Sequence, residues 1–190
     1  MIDRALLGRL RIEPLDRKKH GRAAFSSGVA RVDNFLKTNA AGLQDLDSTR
    51  CVVACLDPEP GASEAEVVGF YALNNHSIDT TSLPESLRKK YGRYETTSAI
   101  YLSVVGVHER YQGKGIGSFL MAHALKRCTA IADLSGASFV ILDALNEDAA
   151  RLYRRLGFQD LPGHEPRMLI SMKVVRAAVS KTAPPAAQSA

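Results

Sequence analysis

The sequence predicts an α/β (α+β) fold: one domain on a mixed, mostly antiparallel central sheet flanked by helices. Three observations carry this reading. Short β-rich apolar segments alternate along the chain with segments of helical period. The link between the second and third strand candidates is dense in turn residues. A glycine-rich segment joins a late apolar strand to a long helix.

The first strand is expected over Leu10 to Leu15, which is short and roughly alternating. Phe25-Ser26-Ser27-Gly28 carries turn and helix-start chemistry. Beyond it Val29, Val32, Phe35 and Leu36 recur at helical spacing, which predicts an amphipathic helix from Val29 to about Ala40. Two strands follow, Arg50 to Cys55 and Val67 to Leu73. The turn residues Asp57-Pro58-Glu59-Pro60-Gly61 between them predict an antiparallel hairpin. After a polar stretch with a short helix around Pro84 to Tyr91, Ile100 to Val107 reads as a buried central strand. The glycine segment then opens a long helix with Ile116, Phe119, Leu120, Ala124, Cys128 and Ile131 on one face. Phe139 to Leu142 is a strand. In the next helix Ala149, Leu152, Tyr153 and Leu156 share a face, and Gly157 stands at the C-terminal cap position. Met168 to Val175 is expected as the last strand. The domain is taken as residues 1–176. The Ala/Pro-rich tail, residues 177–190, holds too few core residues to fold and is expected to be disordered.

At 190 residues the chain can bury a sizeable core, and its 45 % apolar and 24 % charged residues are ordinary for a globular protein. No apolar run approaches the roughly 18 residues of a membrane helix, and the N-terminus lacks a secretory pattern, so a cytoplasmic location and no membrane partner are expected. Cys51, Cys55 and Cys128 lack metal-ligand spacing and suit buried thiols in a reducing compartment; no metal site is expected. A net charge of +5 is compatible with phosphate-bearing partners without requiring them.

The segment His108-Glu109-Arg110-Tyr111-Gln112-Gly113-Lys114-Gly115-Ile116-Gly117 follows a strand ending in Val105-Gly106-Val107 and opens a helix. Glycines let the backbone turn sharply and bring N–H groups close to phosphate oxygens, and the helix start adds partial positive charge. A nucleotide P-loop would need Gly-x-x-x-x-Gly-Lys-Ser/Thr, which is absent. A dinucleotide fold would place its glycine loop near the first strand. A glycine-rich turn that merely joins strand to helix is the remaining alternative.

These residues resemble the GNAT N-acetyltransferase family, whose acetyl-CoA motif is Gln/Arg-x-x-Gly-x-Gly/Ala. Gln112, Gly115 and Gly117 occupy the motif positions, and Gly113, Lys114 and Ile116 the variable ones. A second element, Asn146 to Phe158, resembles the family's Asn-x-x-Ala-x-x-x-Tyr-x-x-x-Gly-Phe. The resemblance implies acetyl-CoA as co-substrate. Its pyrophosphate would be cradled by the amides of Gln112 to Gly117, and its pantetheine arm would pair with Val105, Gly106 and Val107. It implies Tyr153 as the general acid that protonates the CoA thiolate, and Asn146 as a contact to the CoA arm. Tyr153 packing on the apolar helix face and Asn146 acting as an N-cap are the alternatives. No base is evident among His108, Glu109 and Asp143. That favours an α-amine acceptor, whose pKa lies near 8 rather than near lysine's 10.4.

The segments Phe25 to Lys37, Ser48 to Val53 and Leu83 to Lys90 resemble the GNAT toxins of bacterial toxin–antitoxin pairs. That resemblance implies aminoacyl-tRNA as acceptor, a ribbon–helix–helix antitoxin as partner and a homodimer. Arg88, Lys89, Lys90 and Arg93 form a basic cluster suited to tRNA phosphates, extended by Arg50, Lys37 and Arg22. A solvated helix face is its plain alternative. In one departure, Val104 stands where the toxins usually carry an arginine; in another, Gln112 replaces a frequent arginine. A non-toxic acetyltransferase of small amines or proteins, and an inert acetyl-CoA-binding module, are the other functional readings.

Overall fold

The computed structural model describes residues 3–58 and 60–182. Helix α1 (Arg4–Arg9) precedes strands β1 (Arg11–Pro14) and β2 (His20–Gly21). Then come α2 (Ala30–Asn34), a π-helical turn (Phe35–Asn39), α3 (Ala40–Asp45), β3 (Arg50–Leu56) and β4 (Ala65–Asp79). The chain continues through α4 (Glu85–Tyr91), β5 (Thr96–Val107), α5 (Ile116–Ser135), β6 (Phe139–Asp143) and α6 (Glu147–Arg155). It ends with β7 (Gln159–Asp160), β8 (Arg167–Ser171) and α7 (Met172–Thr182). Hydrogen bonding links the strands in the order β1-β3-β4-β5-β6-β8-β7, with β2 beside β4. The predicted hairpin is β3–β4, antiparallel, with a shift between Ala54 and Cys55. β5 and β6 are parallel, while β6, β8 and β7 pair antiparallel.

The chain divides into two compact units. One comprises the residues up to Asn75 with Leu102–His123; the other comprises His76–Tyr101 with the chain from Ala124 onward. In the first, Phe25, Leu36, Val53 and Phe70 are fully buried in one cluster with Val32 and Cys51. The Phe25 ring meets Phe70 edge-on at 5.3 Å, and Phe35 lies parallel to Phe70 at 6.1 Å. In the second, Ile78, Leu83, Phe139, Ile141 and Leu169 form the core, with Leu87 and Tyr91 of α4 packed on it. Leu87 and Tyr91 stand four apart and so share a helix face, which turns Arg88, Lys89 and Lys90 outward. All three cysteines are free and buried, and burial pushes the Cys51 and Cys128 thiols up to about 12.

Four elements differ in their bounds from expectation. The helix begun near Val29 does not stop at Ala40: the π turn inserts a residue and α3 carries the chain to Asp45, burying Ala40 and Ala41. Strands β4 and β5 run well past their apolar centres into polar sequence, because ladder bonds sustain a strand where side-chain pattern does not announce one. The last strand ends at Ser171, not Val175. Met172 and Val175 are both buried three residues apart, a helical interval, so α7 continues through Ala177 to Thr182. The boundary drawn at residue 176 therefore cuts a helix, and the expected disorder of residues 177–182 is corrected. Residues 183–190 lie outside the described residues.

Candidate active site

The glycine segment belongs to the first unit. After β5 a single 3₁₀ turn (Glu109–Tyr111) brings the chain to Gln112. Gly113 and Gly115 then adopt φ of +73° and +85°, the left-handed region that side-chain-bearing residues avoid. The first backbone bond of α5 runs from the Phe119 N–H to the Gly115 carbonyl, at 3.0 Å. The N–H groups of Ile116, Gly117 and Ser118 therefore have no intrahelical acceptor, as at any helix start. A turn of this shape offers an anion several donors and the positive end of a 20-residue helix.

Two side chains at the start of the loop, Gln112 and Glu109, are bonded back to the protein. The Gln112 amide donates to the carbonyls of Ser27 (2.9 Å) and Val107 (3.0 Å), so it holds the loop to the chain before α2 and to its own strand. Glu109 accepts from the Ser26 hydroxyl at 2.9 Å, and its backbone N–H donates to the Ser26 carbonyl at 2.8 Å. A Cβ on Gly28 would stand 2.8 Å from a Glu109 carboxylate oxygen. Ser27 donates by both N–H and Oγ to Asp33 of α2. Beneath the loop, a Cβ on Gly106 would lie 2.6 Å from Val32 and 2.7 Å from Phe70, so no side chain fits there. Val105 and Val107 on either side of it are half-buried. The parallel register of β5 with β6 ends at Tyr101↔Ile141, and β5 runs six residues beyond to Val107.

The second unit contains Tyr153. Asn146 is the N-cap of α6: its Oδ1 accepts from the Ala149 N–H at 2.9 Å. The helix ends at Gly157, whose φ of +96° gives the left-handed cap anticipated for it. The Tyr153 ring tilts against Phe158 at 5.9 Å, and burial raises the phenol above its ordinary value near 10. Among the described residues no enclosed side-chain oxygen lacks a partner, and Tyr153 has none from the protein, so its hydroxyl opens to solvent.

Each of the base candidates is already engaged in hydrogen bonds. His108 accepts from the Arg110 N–H on Nδ1 (3.2 Å), which leaves Nε2–H to donate to the Ala24 carbonyl (3.3 Å). Glu109 is engaged as above. Asp143 is held in a cluster that sequence reading missed: it accepts from Arg167 Nε (2.8 Å) and Nη2 (3.1 Å) and from the Tyr101 hydroxyl (2.7 Å). Arg167 lies over the Tyr101 ring at 5.2 Å. Asp143 and Arg167 are register partners on β6 and β8, a pairing that no linear spacing announces.

The cations divide. Lys89 pairs with Glu85 (3.0 Å) on α4, while Lys90 and Arg93 lie over the rings of Tyr91 and Tyr94 at 5.2 and 5.8 Å. Tyr94 is 70 % exposed with Arg93 over its ring, and Arg88 and Lys90 are exposed on α4. Arg50 belongs to the first unit and pairs with Asp47 at 2.6 Å. Arg22 is bound to the carbonyls of Leu36 and Lys37.

One group of ligand-type atoms gathers elsewhere: Glu13, His20 and Cys55, within 4.8 Å of one another. Its hydrogen bonds argue for a structural pair. His20 Nδ1 accepts from the Asp16 N–H (2.9 Å), so the ring proton is on Nε2, donated to Glu13 at 2.8 Å. A metal on Nε2 would force that proton onto Nδ1, against the Asp16 N–H.

A strand-to-helix glycine turn in a mixed sheet, followed by a tyrosine-bearing helix, matches the acetyltransferase (GNAT) domain model over residues 47–160. The chain belongs to the GNAT family and is an N-acetyltransferase. It is 38 % identical over 172 residues to a probable toxin TacT of Sinorhizobium fredii, covering 87 % of this chain and 92 % of the relative. It is 31 % identical to a tRNA-acetylating toxin of Mycobacterium tuberculosis, covering 82 % and 89 %. Among solved structures, AtaT complexed with acetyl-methionyl-tRNA superposes with TM-score 0.79 at 25 % identity, covering 89 % of this chain and 98 % of that one. AtaTR bound with acetyl-CoA gives 0.76 at 25 %, covering 90 % and 98 %.

Proposed function

We propose that this protein transfers the acetyl group of acetyl-CoA to the α-amine of aminoacyl-tRNA, and so acts as a translation-blocking toxin. The observation that carries the reading is the likeness to a tRNA-acetylating toxin over four-fifths of the chain. The exposed cations of and after α4 support it: Arg88, Lys90 and Arg93, the last over the open ring of Tyr94, suit phosphates and an unstacked base better than a small amine.

In this reading the amides of Gln112 to Gly117 bind the coenzyme pyrophosphate, and the main chain of Val105 to Val107 pairs with the pantetheine arm. Gln112 itself is a positioning residue: its side chain holds the loop and leaves the backbone N–H groups to the ligand. Tyr153 donates a proton to the departing thiolate. A half-buried phenol with a raised pKa stays protonated at neutral pH and so keeps a proton to give. Asn146 fixes the start of the helix that carries it. The amine needs no strong base, because an α-amine near pKa 8 is partly neutral at pH 7. Cytoplasmic location, a homodimer and neutralisation by a ribbon–helix–helix antitoxin complete the proposal; no helix among the described residues is long and apolar enough to cross a membrane.

The deciding experiment is transfer of radiolabelled acetyl from acetyl-CoA to a pool of aminoacyl-tRNA. Label on the α-amine is the expected result. Acetyl-CoA binding without labelled tRNA, alongside acetylation of small amines or peptides, would move the protein to a different acceptor class.

A further inference from the structure

Helix α1 reaches the glycine loop from a side that the family motif does not describe. The Asp3 N–H donates to the Lys114 carbonyl at 3.1 Å, and the Asp3 carboxylate caps the helix by accepting from the Leu6 N–H at 2.9 Å. At the other end of the helix, Arg9 stands within electrostatic range of the Tyr111 hydroxyl. A helix of this length spans about 9 Å, so its two ends bracket the short segment from Tyr111 to Lys114.

The Tyr111 ring gathers the charge here. Lys114 Nζ lies 5.3 Å from its centroid and Arg110 Cζ 5.7 Å. Glu66 bonds to the Tyr111 hydroxyl (2.8 Å) and to Arg110 (3.0 Å), which answers the charge of Arg110. Among the described residues Arg9 and Lys114 are in no ion pair. The loop's own N–H groups and the α5 start already suit a pyrophosphate. Two further unanswered cations beside them imply a further anion.

Coenzyme A carries one: a phosphate monoester on the ribose, with a charge near −2 at neutral pH. We propose that Arg9 and Lys114 form the subsite for this ribose 3′-phosphate, which makes α1 part of the coenzyme site. The proposal rests on reading the loop as the coenzyme site, not on the identity of the acceptor. A guanidinium and an ammonium that both flank Tyr111 suit a monoester, the first by paired hydrogen bonds and the second as a point charge.

The test is calorimetric binding of CoA and of dephospho-CoA, which lacks that phosphate, with no acceptor present. The wild type should bind CoA about tenfold more tightly than dephospho-CoA, the size of one good charge-assisted contact. The gap should narrow as salt is raised. Arg9→Ala should weaken CoA about three- to tenfold and leave dephospho-CoA unchanged, with Arg9→Lys restoring most of the loss, and Lys114→Ala should weaken CoA more than dephospho-CoA. Equal wild-type affinity for the two ligands would overturn the subsite while leaving the coenzyme reading intact. So would variants that weaken both ligands alike, since that marks α1 as a structural support. Loss of tRNA binding with CoA binding untouched would assign the two cations to the acceptor instead. If neither ligand bound the wild type, the coenzyme reading of the loop and this subsite would fall together.

Discussion

The glycine loop of the first unit and helix α6 of the second are held in place by different physics. The loop is fixed by backbone geometry and buried packing. Gly113 and Gly115 set the turn, Gln112 bonds two carbonyls, and Gly106 lets Val32 and Phe70 close beneath it. Helix α6 is a short surface element whose polar side chains make exposed ion pairs, Arg154 with Glu147 and Asp160, and Arg151 with Asp148. Its ordering rests on the Asn146 cap, the Gly157 stop and a few apolar contacts that include Tyr153 against Phe158. Such surface pairs contribute little each. The contrast separates two kinds of sensitivity: damage to the loop should lower coenzyme affinity and stability, and damage to α6 should lower turnover.

The sharpest break of that contrast is Tyr153→Phe. Turnover should fall about 10²-fold or more while the melting temperature stays within a degree or two, as checked by single-turnover acetylation and calorimetry. Because burial raises the phenol, wild-type turnover should keep its acid through pH 9 and lose it only above the ordinary phenol range near 10. A limb near pH 8 that persists in the Phe variant would belong to the acceptor amine. On the loop side, Gly106→Ala should cost about 1–3 kcal/mol, since its Cβ would overlap Val32 and Phe70. In a chain of this size that is several degrees of melting temperature.

Gln112→Ala should raise KM for acetyl-CoA about threefold to tenfold at nearly constant kcat, by loosening two hydrogen bonds that hold the turn. An equal fall in kcat would mean that the loop also orients the thioester. The smallest effect concerns Glu13, whose carboxyl the His20 hydrogen bond holds below its usual range. A depressed carboxylate stabilises the fold above the unfolded pKa and loses that contribution as pH falls through its folded value. Stability should therefore decline below about pH 4.5, and Glu13→Gln should flatten that part of the curve in pH-dependent denaturant titrations.

Much of the fold was legible because it rests on local signals. The apolar runs of β3, β5 and β6, the turn-rich hairpin link, the Asn146 start and the Gly157 stop all sit where the residues put them. What was missed depends on tertiary context. The π turn arises where Phe35 is drawn onto Phe70, and nothing in the pattern of residues 29–40 marks an extra residue. The first turn of α7 reads as strand because Met172 and Val175 follow directly on a true strand and continue its apolar run. The glycine turn was found, but not the direction of its side chains: Gln112 reads as a ligand by motif and as a staple by geometry. The Asp143–Arg167–Tyr101 cluster joins three strands and was invisible to spacing. Helix α1 did leave a trace, an Asp3 cap ahead of Leu6, Leu7 and Leu10.

The three enclosed thiols carry a consequence for control. With Cys51 and Cys128 at about 12, only about one molecule in 10⁵ bears either thiolate at pH 7, and Cys55 is raised as well. The thiolate is the species that attacks peroxides and disulfides, so these sites offer oxidants almost nothing to react with. The enzyme should therefore keep its activity through a peroxide treatment that inactivates thiol-dependent enzymes.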